Sequence, residues 1–397
     1  MFDAATASSP RVGAVLALVA LACSSEDAGA PQEGDRCGEC GAGTLVAEEC
    51  RYPSADLATV LADGLPPADT RERPVFHVSD YEGATAQARI RQATLAAAAV
   101  GGAVVLDEVY TVTDAVLVED GVLYTGGGIR RACTPHAVTT SAVAAGEPCL
   151  PVDTTNGFDA GVLLATTDGS MAGTLGTFAA TVEGGRLCRS DDAFAVPAGA
   201  HLVRVFPLVE SPVTSAGGIE FDSVLFDGAG ACNPWTHDWR FNSTWSMRGG
   251  PDIVRRSWFH DTPAENLFAC DDLVADNVAL DLGGSLVHKS CTAPALSFVR
   301  GNYVERANRF TDAILGHSEG VIVFSANASL LFMTGNTFRT GTENAIGRAT
   351  TDDENFASTL DCFAHFPRLL TLAGATPTRF LLADDTFIDT PSLPEPD

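Results

Sequence analysis

Two aspartates and an arginine recur at one position of a repeated segment. Asp261, Asp281 and Arg306 each stand four residues after a polar turn residue that follows a short apolar segment. If successive repeats stack, residues at one position lie about 4.8 Å apart. Two carboxylates at that distance repel by roughly 3 kcal/mol at an effective dielectric of about 20, enough to raise one pKa or recruit a cation. The pattern predicts catalytic residues for proton transfer, with Asp261, Asp281 and Arg306 as the candidates.

The same residues also have a structural interpretation. An aspartate after a turn often accepts hydrogen bonds from local backbone amides. In this interpretation an Asp–Arg contact between neighbouring repeats is a surface ion pair of small energetic value. The sequence leaves both interpretations open.

Aromatic and histidine side chains cluster close by. All four tryptophans fall between positions 235 and 258, and Trp235 and Trp239 lie in a segment predicted to be a loop. Trp245 and Trp258 occupy strand-like segments and are predicted to pack in the core. Flat aromatic faces flanked by hydrogen-bonding groups suit a sugar ring. The candidate substrate-binding residues are Trp235, His237, Trp239, His260, His288 and Lys289.

A repeat positions these side chains. Its turn residues are Ser257, Asn277, Asn302, Asn336 and Asp385, with successive spacings of 20, 25, 34 and 49 residues. A period of about 20–25 residues made of strands and turns indicates one solenoid coil per repeat. The third spacing then contains an insertion and the fourth covers two coils. Stacked Asn side chains at such a turn can bond to one another along the solenoid axis.

A short helix precedes the first coils. Ala86, Ile90, Ala93 and Ala97 fall on one helical face, and Gly101-Gly102 ends the run before strand-like sequence at 103–128. This order resembles the start of right-handed parallel β-helix proteins of the pectate-lyase-like superfamily, whose solenoid is capped by a short helix. The resemblance covers roughly residues 75–390. It implies an all-β fold, a right-handed parallel β-helix solenoid with an N-terminal capping helix and a small inserted β module.

The resemblance also implies an activity class. Lyases of this superfamily hold calcium with acidic side chains and remove a proton with arginine or lysine, whereas its hydrolases use carboxylates as acid and base. Calcium is therefore the cofactor to consider at Asp261 and Asp281, and no other metal site is predicted. The polygalacturonase-type motif is incomplete, because Asp271-Asp272 and Gly316-His317-Ser318 lack the flanking Asn-Thr-Asp and Arg-x-Lys.

The N-terminus has the pattern of an export signal. An apolar run from Val12 to Ala22 precedes Cys23 and is about half the length of ~20 residues needed to span a bilayer. It resembles a bacterial lipoprotein signal, which implies lipidation of Cys23. An ordinary cleaved signal peptide is the alternative. The predicted location is extracytoplasmic, as a cell-envelope lipoprotein or a secreted protein, with membrane contact only through Cys23.

Six segments are predicted along the chain. They are a signal peptide at 1–22, a tether and small Cys-containing stalk at 23–72, the capping helix and first coils at 73–131, an inserted β-rich module at 132–206, further coils at 207–390 and a flexible tail at 391–397.

Ten of the eleven cysteines remain when Cys23 is set aside, an even number that suits disulfides in an oxidising compartment. Cys37, Cys40 and Cys50 favour a disulfide-pinned stalk over a zinc site, since no fourth ligand is evident. The predicted staples are Cys133 with Cys149 in the module and Cys270 with Cys291 between adjacent coils.

The charge balance limits the partners. A net charge of −27 disfavours nucleic acid and anionic membranes, both of which attract basic surfaces. The sequence predicts a monomeric exported protein that binds a polysaccharide in a groove formed by residues 227–310. It leaves open whether the protein is also an enzyme, which would then be a polysaccharide lyase or a glycoside hydrolase. The alternative is a non-catalytic adhesin or structural solenoid.

Overall fold

The computed structural model describes most of the region between residues 57 and 305 and the strands on either side of it. The described ranges are 44–46, 49–51, 57–158, 160–169, 173–189, 194–232, 245–246, 250–262, 267–268, 272–284, 286–289, 296–305, 322–324, 330–334, 336–339, 344–348, 355–359, 362–364, 368–371, 380–383 and 386–388.

Most of the strands belong to three parallel sheets, which successive strands visit in turn. Sheet 1 contains Val75–His77, Ala103–Val105, Leu123–Thr125, Glu220–Asp222, Ile253–Arg255, Leu273–Ala275, Leu296–Arg300, Leu330–Thr334, Asn355–Thr359 and Phe380–Ala383. Sheet 2 contains Val109–Val112, Gly128–Arg131, Leu225–Asp227, Trp258–His260, Val278–Leu280, Tyr303–Glu305, Thr337–Arg339, Cys362–Ala364 and Thr386–Ile388. Sheet 3 contains Val116–Leu117, Val209–Glu210, Trp245–Ser246, Leu267–Phe268, Val287–Lys289, Ile322–Phe324, Asn344–Arg348 and Arg368–Thr371.

The three sheets share one hydrophobic core. Val254 of sheet 1, Phe259 of sheet 2 and Val209 of sheet 3 are all completely buried in it. Each strand contributes alternate residues, because successive side chains of a strand point to opposite faces. Aromatic rings stack between neighbouring strands inside this core, with the Phe226 and Phe259 ring centroids 5.1 Å apart.

The predicted stack of turn residues is confirmed from Ser257 to Asn336, between sheets 1 and 2, whereas Asp385 lies outside the described residues. Asn277 Oδ1 accepts from the Ser257 amide at 3.0 Å, and Asn302 Oδ1 accepts from Asn277 Nδ2 at 2.9 Å. Asn336 Oδ1 accepts from Asn302 Nδ2 at 2.8 Å. The strand registers place Thr337 beside Cys362 and Cys362 beside Thr386, so the last spacing covers two coils as predicted.

The helix Ala86–Ala98 covers the first rungs of the core. Thr85 caps it by accepting from the Ala88 amide at 3.2 Å. Ile90, Ala93 and Ala97 are completely buried against the sheets, as the helical spacing predicted. Among the described residues no helix is both long and apolar enough to cross a membrane.

An antiparallel sheet interrupts the coils between residues 136 and 204. Its strands, in spatial order, are Cys149–Leu150, Arg186–Arg189, Thr174–Glu183, Gly161–Thr166, His201–Arg204 and His136–Val138. The sheet has its own core, formed by residues such as Leu163, Phe178 and Leu202. A separate antiparallel pair, Thr44–Val46 and Glu49–Arg51, lies near the N-terminus.

Two disulfides differ from the predicted pairing. Cys149 bonds to Cys188 within the antiparallel sheet, and Cys133 bonds to Cys232 across 99 residues. The predicted Cys133–Cys149 staple is therefore wrong, because antiparallel register brings Cys149 opposite Cys188. The Cys270–Cys291 prediction and the cysteines of the stalk lie outside the described side chains.

An N-terminal strap, residues 57–73, crosses the outer faces of sheets 1 and 2. Its helix, Leu57–Asp63, places Val60 in an apolar cluster with Leu225 and Trp258, and Leu65 pairs with Gly127. A Cβ on Gly64 would lie 2.4 Å from the Gly127 carbonyl carbon, so this close backbone approach requires glycine. Trp258 is buried, but on the outer face under the strap. The prediction that it packs in the solenoid core is wrong on this point.

Candidate functional site

A row of polar residues runs across the outer face of sheet 2. Strand register aligns Arg130 with Asp227 and Asp227 with His260 on successive strands. The polar row ends at His260, because the next residue in this register is the buried, apolar Leu280. Backbone register then pairs Leu280 with Glu305, whose side chain lies outside the described part of the chain. Each of these residues is the third of the three residues through which its strand pairs with the next strand. The same position of the repeat therefore falls at the same place on every strand of the sheet.

Asp227 is the centre of the row. Its Oδ2 accepts from Arg130 Nε at 2.5 Å, and its Oδ1 lies 3.2 Å from His260 Nδ1. The Ala229 amide also donates to Oδ1 at 3.2 Å. Arg130 is fixed from its other side, because its Nη2 donates to the Leu61 carbonyl in the strap helix at 2.5 Å. The three side chains are thereby held in a defined geometry.

The electrostatic balance keeps Asp227 ionised. Burial raises the pKa of this carboxyl, but the hydrogen bonds from His260 and Arg130 outweigh burial, and the net pKa is lowered. A carboxylate that accepts from Nδ1–H of His260 fixes the ring tautomer, which leaves Nε2 as the basic nitrogen. Such an Asp–His pair can accept a proton from a bound molecule.

Asp261 follows His260 directly, and Asp281 occupies the same position one coil later. The register of Trp258–His260 with Val278–Leu280 brings the two aspartates to adjacent rungs, as the repeat predicted. Both are half-buried and have left-handed backbone, with φ of 46° at Asp261 and 58° at Asp281. The Asp261 amide donates to the Leu280 carbonyl at 3.0 Å. Asp tolerates this conformation better than most residues, so the position itself favours Asp.

The remaining predicted site residues are described in part or not at all. His288 and Lys289 lie in the sheet 3 strand Val287–Lys289, away from the row on sheet 2, and their side chains are outside the described part of the chain. Arg306, Trp235, His237 and Trp239 lie outside the described residues, as does Cys23. The assignments of Asp261, Asp281 and Arg306 as catalytic and of the six binding residues stay predictions.

Arg130 and Asp227 are not among the site residues predicted from the sequence. Asp227 ends the strand Leu225–Asp227, the rung before Trp258–His260, and Arg130 comes one rung earlier still. The signal was present, since aligning "VLFD" with "SWFH" places Asp227 opposite His260. The inserted antiparallel sheet separates Arg130 from Asp227 by 97 residues and hides the repeat.

A second charged cluster on sheet 1 has a different character. Asp222 is completely buried and accepts from Arg255 Nε at 2.8 Å and from Arg256, while Glu220 accepts from Arg73 of the strap at 3.2 Å. Hydrogen bonding to Asp222 raises the pKa of Arg256. The acidic and basic groups of this cluster pair with one another, and the Arg73–Glu220 ion pair attaches the strap to it.

A calcium site is not defined by the described residues. Within those ranges no three His, Cys, Asp or Glu side chains converge as they would around a metal ion. Calcium at Asp261 and Asp281 stays a prediction.

Comparisons with known proteins give distant structural matches alone. No protein-family model matches the sequence, and no curated protein matches it significantly. A solved structure from Parabacteroides merdae, named as a "putative glycosyl hydrolase", aligns at 10% identity over 72% of this chain and 96% of its own, with a TM-score of 0.32. The gp54 tailspike of Acinetobacter baumannii bacteriophage AP22, solved with a capsular saccharide, aligns at 11% identity over 79% of this chain and 58% of its own, with a TM-score of 0.22. The gp49 tailspike of Pseudomonas phage LKA1 aligns at 13% identity over 76% of this chain and 74% of its own, with a TM-score of 0.21.

Proposed function

We propose that the three parallel sheets close into a right-handed β-helix that is exported from the cell. The shared core and the regular visit of successive strands to each sheet support closure. The disulfides Cys133–Cys232 and Cys149–Cys188 support an oxidising compartment. In this proposal residues 1–22 are the signal peptide, Cys23 carries the lipid, residues 23–72 form the tether and stalk, and the protein is a monomer.

We infer that the outer face of sheet 2, around residues 227–262, binds a polysaccharide. The observation that carries this proposal is the hydrogen-bonded row of Arg130, Asp227 and His260, with Asp261 immediately beside it. Polar side chains with fixed orientation on a rigid sheet can recognise the hydroxyl groups of a sugar chain without reorganising.

The loop that follows supplies the apolar contacts in this proposal. Cys232 is bonded to Cys133, which anchors the chain next to the row. Trp235 and Trp239 come three and seven residues after Cys232 in the sequence. An extended chain advances at most about 3.6 Å per residue, so Trp235 is tethered to within roughly 11 Å of this anchor.

Cleavage in this proposal begins when Nε2 of His260 accepts a proton, from the sugar carbon next to a carboxylate in a lyase or from the attacking water in a hydrolase. The glycosidic carbon–oxygen bond then breaks, and its oxygen leaves with a proton from the acid of the Asp261–Asp281 pair or from water. Asp227 holds the ring and stabilises the imidazolium that forms. Asp261 and Asp281 contribute negative charge on adjacent strands, where they would hold calcium if it binds or act as acid and base, and Arg306 neutralises charge that develops on the sugar. The reaction class is lyase or glycoside hydrolase.

A specific observation favours a second function, a non-catalytic solenoid that binds glycans or other surfaces. The left-handed backbone of Asp261 and Asp281 gives both residues a turn-forming role that requires no chemistry. The network from Leu61 through Arg130 to Asp227 also stabilises the strap.

The test separates binding from cleavage. The mature protein is incubated with a panel of plant, algal and microbial glycans, with and without calcium. Binding is measured by affinity electrophoresis, and cleavage by ultraviolet absorbance and reducing ends. The variant His260→Gln is expected to keep binding and to lose at least 100-fold in cleavage rate, as expected for loss of a general base.

His77→Gln is the matched control, because His77 Nδ1 also lies beside a carboxylate, 2.6 Å from Asp107, but on sheet 1. It is expected to cleave at the wild-type rate. Binding without cleavage by the wild-type protein would establish the second function. Absence of binding across the whole panel at high protein concentration would overturn both.

A further inference from the structure

The strap buries little of its own surface against the solenoid. Of its residues, all of which the structure describes, Val60 alone is buried. Leu65 exchanges two backbone hydrogen bonds with Gly127, at 3.0 and 2.7 Å, and the Ala68 amide donates to a threonine hydroxyl of sheet 1 at 2.7 Å. Segments with few buried apolar contacts open at a lower free energy than the core beside them. The strap is therefore a segment that can leave its sheets while the coils stay folded.

The C-terminal end of the strap is held in an unfavourable backbone conformation. Arg71 and Glu72 are consecutive non-glycine residues in the left-handed region, with φ of 50° and 66°. Both residues are exposed, so burial of their side chains does not offset the cost of this conformation. The Arg73 amide closes the turn by donating to the Thr70 carbonyl at 3.0 Å. Such conformations persist where surrounding contacts hold them, and they cluster at switch regions. Residues 70–73 are therefore the hinge about which the strap would open.

The closed strap occupies one end of the polar row on sheet 2. The Leu61 carbonyl accepts from Arg130 Nη2 at 2.5 Å, so the strap already uses one nitrogen of this guanidinium. A Cβ on Gly64 would lie 2.4 Å from the Gly127 carbonyl carbon, so the backbones of strap and sheet are in direct contact. No ligand fits between them while the strap is closed.

An apolar row lies beside the polar one, and the strap helix packs on it. Val60 belongs to one apolar cluster with Leu225 and Trp258. These two residues stand two positions before Asp227 and His260 in the same strands, so each pair lies on one face of the sheet. Adjacent apolar and polar rows suit a sugar chain, whose ring faces are apolar and whose rims carry hydroxyl groups. The strap helix thus covers surface that a sugar chain on this face would contact.

We propose that the strap is an autoinhibitory lid over the outer face of sheet 2. In the closed state the strap occupies the Arg130 end of the polar row and the apolar row beside it. A polysaccharide binds there after the strap has moved away about residues 70–73. This inference rests on the proposed function and deepens it, because it names the segment that controls access to the polysaccharide surface.

The lid links two measurements on the full mature chain. Amide exchange reports opening directly, because strap–sheet hydrogen bonds protect the amides of Leu65, Ala68 and Gly127. Mass spectrometry with residue-level fragmentation measures this exchange, and affinity electrophoresis measures binding across the glycan panel. While the closed state dominates, the exchange rate and the polysaccharide association constant are both proportional to the fraction of open strap. A variant that changes opening is therefore expected to change both by the same factor.

Val60→Ala tests opening. Removing buried methyl groups weakens the closed state, so exchange of the three amides and polysaccharide affinity are both expected to rise roughly fivefold or more. Val213→Ala removes the same methyl groups from a residue that is 73% exposed and is the matched control. The control is expected to change neither quantity.

The hinge is tested in the opposite direction. Arg71→Gly/Glu72→Gly leaves the net charge unchanged and removes the cost of a Cβ in left-handed backbone. This variant is expected to slow exchange and to weaken polysaccharide binding roughly threefold or more, because glycine favours the closed turn. Arg71→Ala/Glu72→Ala removes the same charges and retains each Cβ. It is the matched control and is expected to slow neither exchange nor binding. A strap with a purely structural role would not weaken binding when it is stabilised.

The inference and the proposed function can fail separately. Exchange of the Leu65, Ala68 and Gly127 amides as slow as that of Ile253, which bonds to the preceding coil, would mean that the strap opens only with the core. That result would overturn the lid. Exchange that follows the variants without a parallel change in affinity would also overturn the lid and leave the proposed function intact. Absence of polysaccharide binding by both wild type and Val60→Ala would overturn the proposed function and the lid together.

Discussion

Asn302 receives two hydrogen bonds from Asn277, which is 25 residues earlier in the chain. Its Oδ1 accepts from the Asn277 amide at 3.1 Å and from Asn277 Nδ2 at 2.9 Å. Its own Nδ2 donates to the Val274 carbonyl at 3.0 Å and to Asn336 Oδ1 at 2.8 Å. All these groups are buried, so one side chain satisfies polar atoms of the preceding and the following coil.

Replacing Asn302 by Ala should therefore destabilise the protein strongly. Buried polar partners in two neighbouring coils lose a hydrogen bond, and each such group costs about 1–3 kcal/mol. We expect a loss of about 3 kcal/mol or more, measured as a lower urea midpoint by circular dichroism. Asn156→Ala, at an exposed position, is the control and should shift the midpoint little. Equal urea midpoints for the two variants would show that the stack of turn residues does not stabilise the protein.

The stack of turn residues was predictable from the sequence because each coil has a polar residue at the same offset after an apolar strand. Asn277, Asn302 and Asn336 each follow an apolar strand at one offset, and stacking then fixes what they contact. The same repetition placed Asp261 and Asp281 on adjacent rungs. The helix Ala86–Ala98 was predictable for a similar reason, since the helical spacing of its apolar residues defines the buried face.

Features that depend on the inserted sheet were not predictable. Arg130 and Asp227, which are in contact, are 97 positions apart in the sequence, and the Cys133–Cys232 disulfide spans the same insertion. The orientation of Trp258 was ambiguous, because a three-residue strand offers two large residues, Trp258 and Phe259, and either could face the core. The structure buries Phe259 inside and covers Trp258 with the strap helix.

Acid should weaken the native state through Asp227. Its folded pKa lies below its ordinary value of 3.8, so the folded protein releases this proton more readily than the unfolded chain. The resulting stabilisation is present above pH about 4 and is lost as pH falls through the folded pKa. Asp227→Asn should be less stable than wild type at pH 7, and the difference should shrink below pH 4. Urea midpoints from pH 2.5 to 7 measure this.

Glu147→Gln removes an exposed carboxyl and serves as the control for that pH series. It should follow the wild-type curve. A constant difference between Asp227→Asn and wild type at every pH would mean that the carboxylate charge does not carry the stabilisation.

The two disulfides should affect different regions when removed. The Cys133–Cys232 bond closes a loop of 99 residues that contains the whole antiparallel sheet, and its loss should cost about 2–4 kcal/mol. In the double variant Cys133→Ser/Cys232→Ser, amide exchange should rise in the helix Gly230–Cys232, and polysaccharide binding should weaken if the Trp235 loop is part of the site. Cys149→Ser/Cys188→Ser should instead raise exchange in the strand Arg186–Arg189 and leave binding unchanged.

Asp252 should make the protein less stable as the pH rises from about 4 to 7. It is 1% exposed; its Oδ1 accepts from the Ile219 amide at 2.9 Å, and its Oδ2 has no hydrogen-bond partner among the described residues. Burial, reinforced by the charge of Asp120, raises its pKa to about 7. Because the folded pKa exceeds the ordinary value, the folded state binds a proton that the unfolded chain has lost between pH 4 and 7. Stability contributed by this group therefore decreases as pH rises through that window.

Asp252→Asn removes the charge and retains an oxygen for the Ile219 amide. The variant should match wild type near pH 4 and exceed its unfolding free energy by on the order of 2 kcal/mol at pH 8. Thermal and urea unfolding at both pH values test this, with Glu82→Gln as the control at an exposed position. The backbone N–H of Asp252 already donates to Asp272 Oδ1 at 3.1 Å, in the turn before the sheet 1 strands. A neutral side-chain amide at position 252 would therefore join a buried stack of polar side chains similar to that of Asn277 and Asn302. A variant that is less stable than wild type at pH 8 would mean that the ionised carboxylate is accommodated by groups that an amide cannot satisfy.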